Sequence, residues 1–208
     1  MKIVFATGNP GKIREAAEIL GEGFELVTPA ELGITEDLPE TGNTLRANSM
    51  QKADYIYKKT GMNCFADDSG LEVDILGGAP GVETARYAGP DRNADANIDK
   101  LLDEMARREK KAAMARTNGL STANAGRTAR FRTSVTLILN GQRHFFDGVM
   151  EGTIGTERIG KGGFGYDPIF IPQGYDLTNA QLGEKVKNAI SHRGKALRAM
   201  AEFLNGQH

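Results

Sequence analysis

Two observations predict an α/β protein built on a mixed sheet. Short apolar strands alternate with amphipathic helices early in the chain, and adjacent β-patterned segments follow from Ala129 onward. There is no internal repeat, heptad run or Pro-rich linker, so the 208 residues read as a single domain, residues 1–208, folded back on itself as two inseparable lobes. A chain of this length buries about 70% of the surface its unfolded form exposes, enough for a core without disulfides or structural metal.

Residues 2–6 read as a short buried strand, and Ile13, Ala16, Ala17 and Leu20 then fill the i, i+3, i+4, i+7 helical template. Phe24 to Val27 and Asn63 to Ala66 are further short strands. Between them a helix runs from Thr44 to Lys59, capped by Thr44, with Ala53, Ile56 and Tyr57 on its apolar side. Ile98, Leu101, Leu102 and Met105 mark another helix, with the polar stretch Asp91 to Asn97 supplying its cap. It runs into Arg107 to Lys111, read as basic residues late in a helix that complement its dipole. Asn118 to Gly126 is a polar, mobile loop. Ala129 to Asn140 is β-patterned, with Val135, Leu137 and Leu139 on one face, and Arg143 to Met150 and Gly152 to Ile159 read as its antiparallel partners. Leu197, Met200, Ala201 and Leu204 mark the last helix.

Lys plus Arg number 26 and Asp plus Glu 27, a formal net charge of −1 that argues against a nucleic-acid or anionic-membrane partner. The apolar run before Thr7 is too short for a signal core or a membrane span. A lone cysteine, Cys64, cannot form an internal disulfide, which fits a cytoplasmic setting. Against this ordinary background stand 26 glycines, residues that let the backbone turn sharply or let something come close.

Four segments could carry chemistry. In Thr7-Gly8-Asn9-Pro10-Gly11-Lys12, a turn between strand and helix, free N–H groups at a helix start and a lysine one turn in would hold an anionic oxygen. The spacing is not that of a Walker A loop, and an ordinary turn with a solvated lysine is the alternative. Ala66-Asp67-Asp68-Ser69-Gly70-Leu71 is expected directly after a strand. Adjacent carboxylates there repel, and a divalent cation would relieve them, or one would activate water; the alternative is a turn in which Asp caps an amide. In Gly162-Gly163-Phe164-Gly165-Tyr166-Asp167-Pro168, glycine neighbours leave Phe164 or Tyr166 open to stack on a planar ring, unless a hairpin turns both into the core. Lys187 to Arg193 crowds Lys187, His192 and Arg193 near a helix N-terminus, where the dipole disfavours cations, so an external anion or acceptor is expected. Asp91 to Leu102 lacks the Gly and Glu of a calcium loop, there is no Gly-x-Ser-x-Gly elbow, and His144 and His208 form no metal cluster.

Taken in order with Gly78-Ala79-Pro80-Gly81-Val82, Ala85-Arg86-Tyr87-Ala88-Gly89 and Asn188-Ala189-Ile190-Ser191, these segments resemble the noncanonical purine nucleoside triphosphate pyrophosphatases. These are the inosine and xanthosine triphosphate pyrophosphatases of the Ham1-like family. The resemblance implies hydrolysis of ITP, dITP or XTP to the monophosphate and pyrophosphate by a homodimeric enzyme. It implies Mg2+ as cofactor, with Mn2+ as a substitute, and an elongated mixed β-sheet flanked by helices, its two lobes enclosing a nucleotide cleft. It assigns Thr7, Gly8, Asn9, Pro10, Gly11 and Lys12 to the triphosphate, and Glu40 and Asp68 to the metal, with Asp68 also as general base. Lys52 would lie near the phosphates and Ser69 in the substrate loop. Phe164, Gly165, Tyr166, Asp167, Lys187, His192 and Arg193 would form the nucleotide and base pocket, Arg193 or a backbone donor facing the 6-oxo group that adenine lacks. The same phosphate apparatus also fits other modified or pyrimidine triphosphates, or a nucleotide sensor without turnover. The chain departs from the family pattern at Leu45, Arg46, Ala47 and Ser49, and has Thr178-Asn179-Ala180-Gln181-Leu182 where Thr-Phe-Ala-Glu-Leu is usual.

Overall fold

The computed structural model describes residues 1–117 and 126–206; the predicted loop from Asn118 lies outside the described residues except for Gly126, as does His208. The strands are β1 (Lys2–Phe5), β2 (Glu25–Val27), β3 (Cys64–Val73), β4 (Pro80–Gly81), β5 (Thr128–Leu139), β6 (Gln142–Ile154) and β7 (Phe170–Pro172). The helices are α1 (Pro10–Leu20), α2 (Leu45–Thr60), α3 (Ala94–Thr117), α4 (Asn179–Leu182), α5 (Glu184–Ile190) and α6 (His192–Asn205). The sheet order is β2-β1-β3-β5-β6-β7, with β4 on β3. β1 is parallel to β2 and β3, whereas β3–β4 and β6–β7 are antiparallel, so the sheet is mixed.

The chain divides into two compact units. The first comprises Met1–Ser69, Arg132–Val149 and Asn188–His208, and the second Gly70–Phe131 and Met150–Lys187. In the first, strand alternation sorts the apolar side chains into two cores. Ile3, Phe5, Phe65, Val135 and Leu137 pack with Ala16 and Leu20 of α1 and with Ala196, Leu197, Met200 and Leu204 of α6. Val4, Ala6, Cys64, Ala66 and Ile138 face Ala53 and Ile56 of α2. Each large side chain so buried stabilises by about 1.5–3 kcal/mol; Phe5 and Phe65 stack with ring centroids 4.3 Å apart. In the second unit, α3 buries Ile98, Leu101 and Met105, and the Phe131 and Phe170 rings meet at 4.6 Å.

Local chemistry explains the boundaries. Asn9 caps α1, its Oδ1 accepting from the amides of Gly11 and Lys12, and Pro10 stands at the first helical turn, where its missing N–H costs nothing. Thr44 caps α2 by accepting from the Ala47 amide, and Asn93 accepts from the Ala96 amide at the start of α3. β5 turns into β6 through Asn140 and Gly141, both at positive φ (50° and 82°), as a two-residue hairpin requires.

Four expectations need correction. β3 continues through Val73, so Asp67 and Asp68 lie inside a strand rather than after it, because Ser69, Leu71 and Val73 extend its pattern. Arg143 to Met150 and Gly152 to Ile159 are not two strands. Glycine at 152 interrupts the pattern without ending the strand, and β6 runs unbroken to Ile154. α3 extends to Thr117, which leaves Arg107 to Lys111 in its middle, where the dipole gives them nothing. Ala17 faces solvent, and Glu15 takes a buried position on α1 instead, paired with Arg193.

Two measurements test this packing. Cys64 Sγ lies against the Ala53 carbonyl, and burial pushes its thiol up to about 12. Ellman's reagent at about pH 8 should therefore leave the native protein unlabelled and react fully once urea unfolds it; prompt native labelling would contradict the buried site. A Cβ at Gly148 would collide with the backbone of α6 at His192 and Ala196. Gly148→Ala should lower unfolding free energy by about 1–3 kcal/mol, the usual cost of overpacking, read from urea midpoints.

Candidate functional site

The period of two along β3 sends its paired carboxylates to opposite sheet faces. Asp67 follows Phe65 toward α1 and α6. Fully buried, it accepts from Lys12 Nζ (2.9 Å) and Arg193 Nε (2.9 Å), with Ser69 Oγ at 3.3 Å. Arg193 spends its other nitrogens on Glu15 Oε2 (2.5 Å) and Ser69 Oγ (3.2 Å), and Ser191 Oγ donates to Glu15 Oε1 at 3.0 Å. Two buried carboxylates thus face two cations, as a charge this deep requires. Burial alone would raise the Asp67 carboxyl, but Lys12 and Arg193 outweigh it and hold it well below the ordinary carboxylate range. Burial lowers the Lys12 ammonium, with Asp67 working against the shift. For Arg193 burial also acts downward, and Asp67 and Glu15 more than offset it. The external anion expected near Arg193 is therefore replaced by carboxylates of this chain.

Asp68 follows Ala66 toward α2. Asn48 Nδ2 donates to its Oδ2 at 2.9 Å, the Ser69 amide to its Oδ1 at 3.1 Å, and Lys52 Nζ lies 3.7 Å from Oδ1. Lys52, itself buried, also donates to Glu40 Oε1. Asn48 Oδ1 accepts from the Gly42 amide at 2.7 Å, tying the Glu40 segment to the same helix. Burial raises the Asp68 carboxyl above its ordinary value, against the pull of Lys52 and Asn48. Glu40 and Asp68 are an oxygen-only pair converging on one cation, a donor set suited to magnesium or manganese. Among the described residues no three His, Cys, Asp or Glu converge, so a metal here would take its remaining ligands from water and substrate, as magnesium commonly does.

The Thr7–Lys12 turn joins β1 to α1, with Thr7 buried and Gly8, Asn9 and Pro10 exposed. Thr7 Oγ1 accepts from the Asn9 amide at 3.2 Å, and the side of Gly8 opens onto space. The amides of Gly11 and Lys12 are held by Asn9, so the cap residue competes for the donors assigned to phosphate.

The second unit gathers the aromatic block. Tyr166 is buried and donates to the Thr84 carbonyl at 2.9 Å, which makes it a core residue. Phe164 is 50% exposed, with Lys187 Nζ 4.4 Å from its ring centroid. Asp167 Oδ2 accepts from Lys187 Nζ (2.6 Å) and the Phe164 amide (2.8 Å). Gly163 (φ 75°) makes room for that carboxylate, which any Cβ there would strike. Gly165 also holds positive φ (59°), and His192, buried, opens α6. Thus Thr7, Lys12, Glu40, Lys52, Asp68, Ser69, His192 and Arg193 belong to the first unit, and Phe164 to Asp167 and Lys187 to the second.

Sequence reasoning passed over Glu15 and Asn48 and noted Asn179 only as a departure from the family pattern. A signal existed for two of them: Asn48 and Lys52 continue the stripe of Ile56 at intervals of four, and Glu15 lies three residues after Lys12 beside the apolar Ala16. Arg193→Ala removes the partner of two buried carboxylates and should cost about 3–5 kcal/mol in urea unfolding; a loss near that of an exposed ion pair would show that the network does not hold α1, β3 and α6 together.

Known proteins resemble this chain in both sequence and fold. A sequence model described as the Ham1 family matches residues 3–203. A Porphyromonas gingivalis protein named dITP/XTP pyrophosphatase is 47% identical over 203 residues, covering 98% of this chain and 97% of its own length. One of the same name from Bacillus subtilis is 42% identical, with 97% and 96% covered. Among solved structures, a HAM1 protein from Coxiella burnetii superposes with a TM-score of 0.86 at 35% identity, covering 99% of each chain. The Staphylococcus aureus Ham1 protein superposes with 0.83 at 34%, covering both chains fully. With residues 3–203 matched by the family model and its α/β fold shared, the chain belongs to the Ham1 family.

Proposed function

We propose that this protein hydrolyses noncanonical purine nucleoside triphosphates, dITP, ITP and XTP, to the monophosphate and pyrophosphate, as the names of its relatives describe for them. The observation that carries the reading is the division at β3: Asp67 pairs with Lys12 and Arg193 on one sheet face, whereas Asp68 stands with Glu40 and Lys52 on the other. Lys12 and Lys52 neutralise phosphate oxygens, and Gly8 lets them approach the backbone. Asp68 Oδ1 accepts the proton of the attacking water while Asn48 keeps the carboxylate from turning. Glu40 and Asp68 would hold magnesium, which supplies charge neutralisation on the phosphates when bound.

Phe164 offers its open ring face to the base, and Lys187 a donor for the 6-oxo group, where adenine would present a donor to a donor. We further read the protein as a cytoplasmic homodimer whose partner is a small nucleotide, a reading that rests on the lone cysteine and the family resemblance.

Pyrophosphate release from dITP, XTP, dATP, dGTP and dUTP, with and without Mg2+, tests the reading. Release from dITP and XTP should require the metal and fall at least about 100-fold in Asp68→Asn. Metal-independent turnover, or a variant as active as wild type, would overturn the mechanism. Equal rates on dATP and dITP would overturn the base selectivity alone.

A further inference from the structure

Asn179 is 2% exposed, yet its side chain makes a single hydrogen bond, Nδ2 donating to Asp167 Oδ1 at 3.2 Å. Its Oδ1 is buried with no hydrogen-bond partner among the described residues. A buried acceptor left unpaired is costly, and an apolar side chain of similar size would remove the cost. Helix docking does not need the amide. α4 is anchored by the Ala180 amide donating to the Asp167 carbonyl at 3.2 Å and by Thr178 Oγ1 donating to the Ile159 carbonyl at 2.7 Å. Asn179 therefore acts on the Asp167 carboxylate. Oδ2 of that group already receives Lys187 and the Phe164 amide, while Oδ1 receives Asn179. Without it, the carboxylate keeps only the contacts at Oδ2 and gains freedom to rotate. Lys187, which it holds against the half-exposed Phe164 ring, is then free to shift.

We propose that Asn179 is a positioning residue for purine recognition: its carboxamide fixes the rotation of Asp167 and so the place of the Lys187 ammonium beside the open face of Phe164. The inference rests on the nucleotide reading above. Asn179→Leu keeps the volume and removes the amide; Asn179→Ser removes the contact without adding apolar bulk, should the first variant fail to fold. In steady-state assays with dITP and Mg2+, either variant should raise KM about tenfold with kcat changed less than about twofold. Calorimetry with inosine monophosphate should show the same loss in Kd. Added to Asp167→Asn, Asn179→Leu should have no further effect.

An unchanged KM and Kd in a folded variant, or an effect as large in the Asp167→Asn background, would overturn the role. A wild type that binds inosine monophosphate without releasing pyrophosphate from dITP would defeat the pyrophosphatase reading, and the variants' Kd would then decide the role of Asn179 by the same tenfold criterion. Failure of the wild type both to bind inosine monophosphate and to release pyrophosphate from dITP would overturn both.

Discussion

The alternation of side chains along β3 is the constraint from which the first unit's chemistry follows. Two adjacent carboxylates on one face would repel at close range; one residue of strand puts a sheet between them. Each then continues the core of its own side. Asp67 ends the layer of Phe5 and Phe65, and Asp68 ends the layer of Ala6 and Ala66. The polar groups that meet them come from the helices already packed there: Lys12 and Glu15 from α1 and Arg193 from α6 on one side, Asn48 and Lys52 from α2 on the other. The hydrophobic layers and the ion clusters are set by one register. A slip of β3 by a single residue would exchange the two acids and invert both cores at once.

The same economy of roles holds in the second unit. Tyr166 and Phe164, two residues apart, take opposite assignments, one ring buried under Thr84 and the other left half open beside Lys187. Glycines flank the open ring, so little covers it. Asp167 joins the two, its backbone receiving α4 and its carboxylate receiving Lys187.

Much of this was legible in the sequence because it is local. The strand–turn–helix opening, the Thr44 cap and the final helix are carried by short-range pattern and capping chemistry. What escaped was set by distant partners. Asp67 and Asp68 were expected just past the end of a strand because nothing nearby says that a lysine 55 residues before Asp67 and an arginine 126 residues after it balance its charge inside β3. Arg193 looked like a residue awaiting an external anion for the same reason. The break expected within β6 arose because glycine at 152 signals a turn locally, while the close approach of the Ile171 carbonyl and the Phe170 ring is what demands it. Composition could never have shown the buried charges, since they cancel within the network.

The bond from Arg193 to Glu15 spans 178 residues. On the ribosome, α1 and β3 emerge long before α6, so the nascent chain carries Asp67 and Glu15 without their arginine until α6 has emerged. Closing so long a loop is entropically slow. Glu15 and part of the charge on Asp67 therefore stay unpaired until α6 docks, and the Thr7–Lys12 turn, tied through Lys12 to Asp67, gains its full set of partners only then.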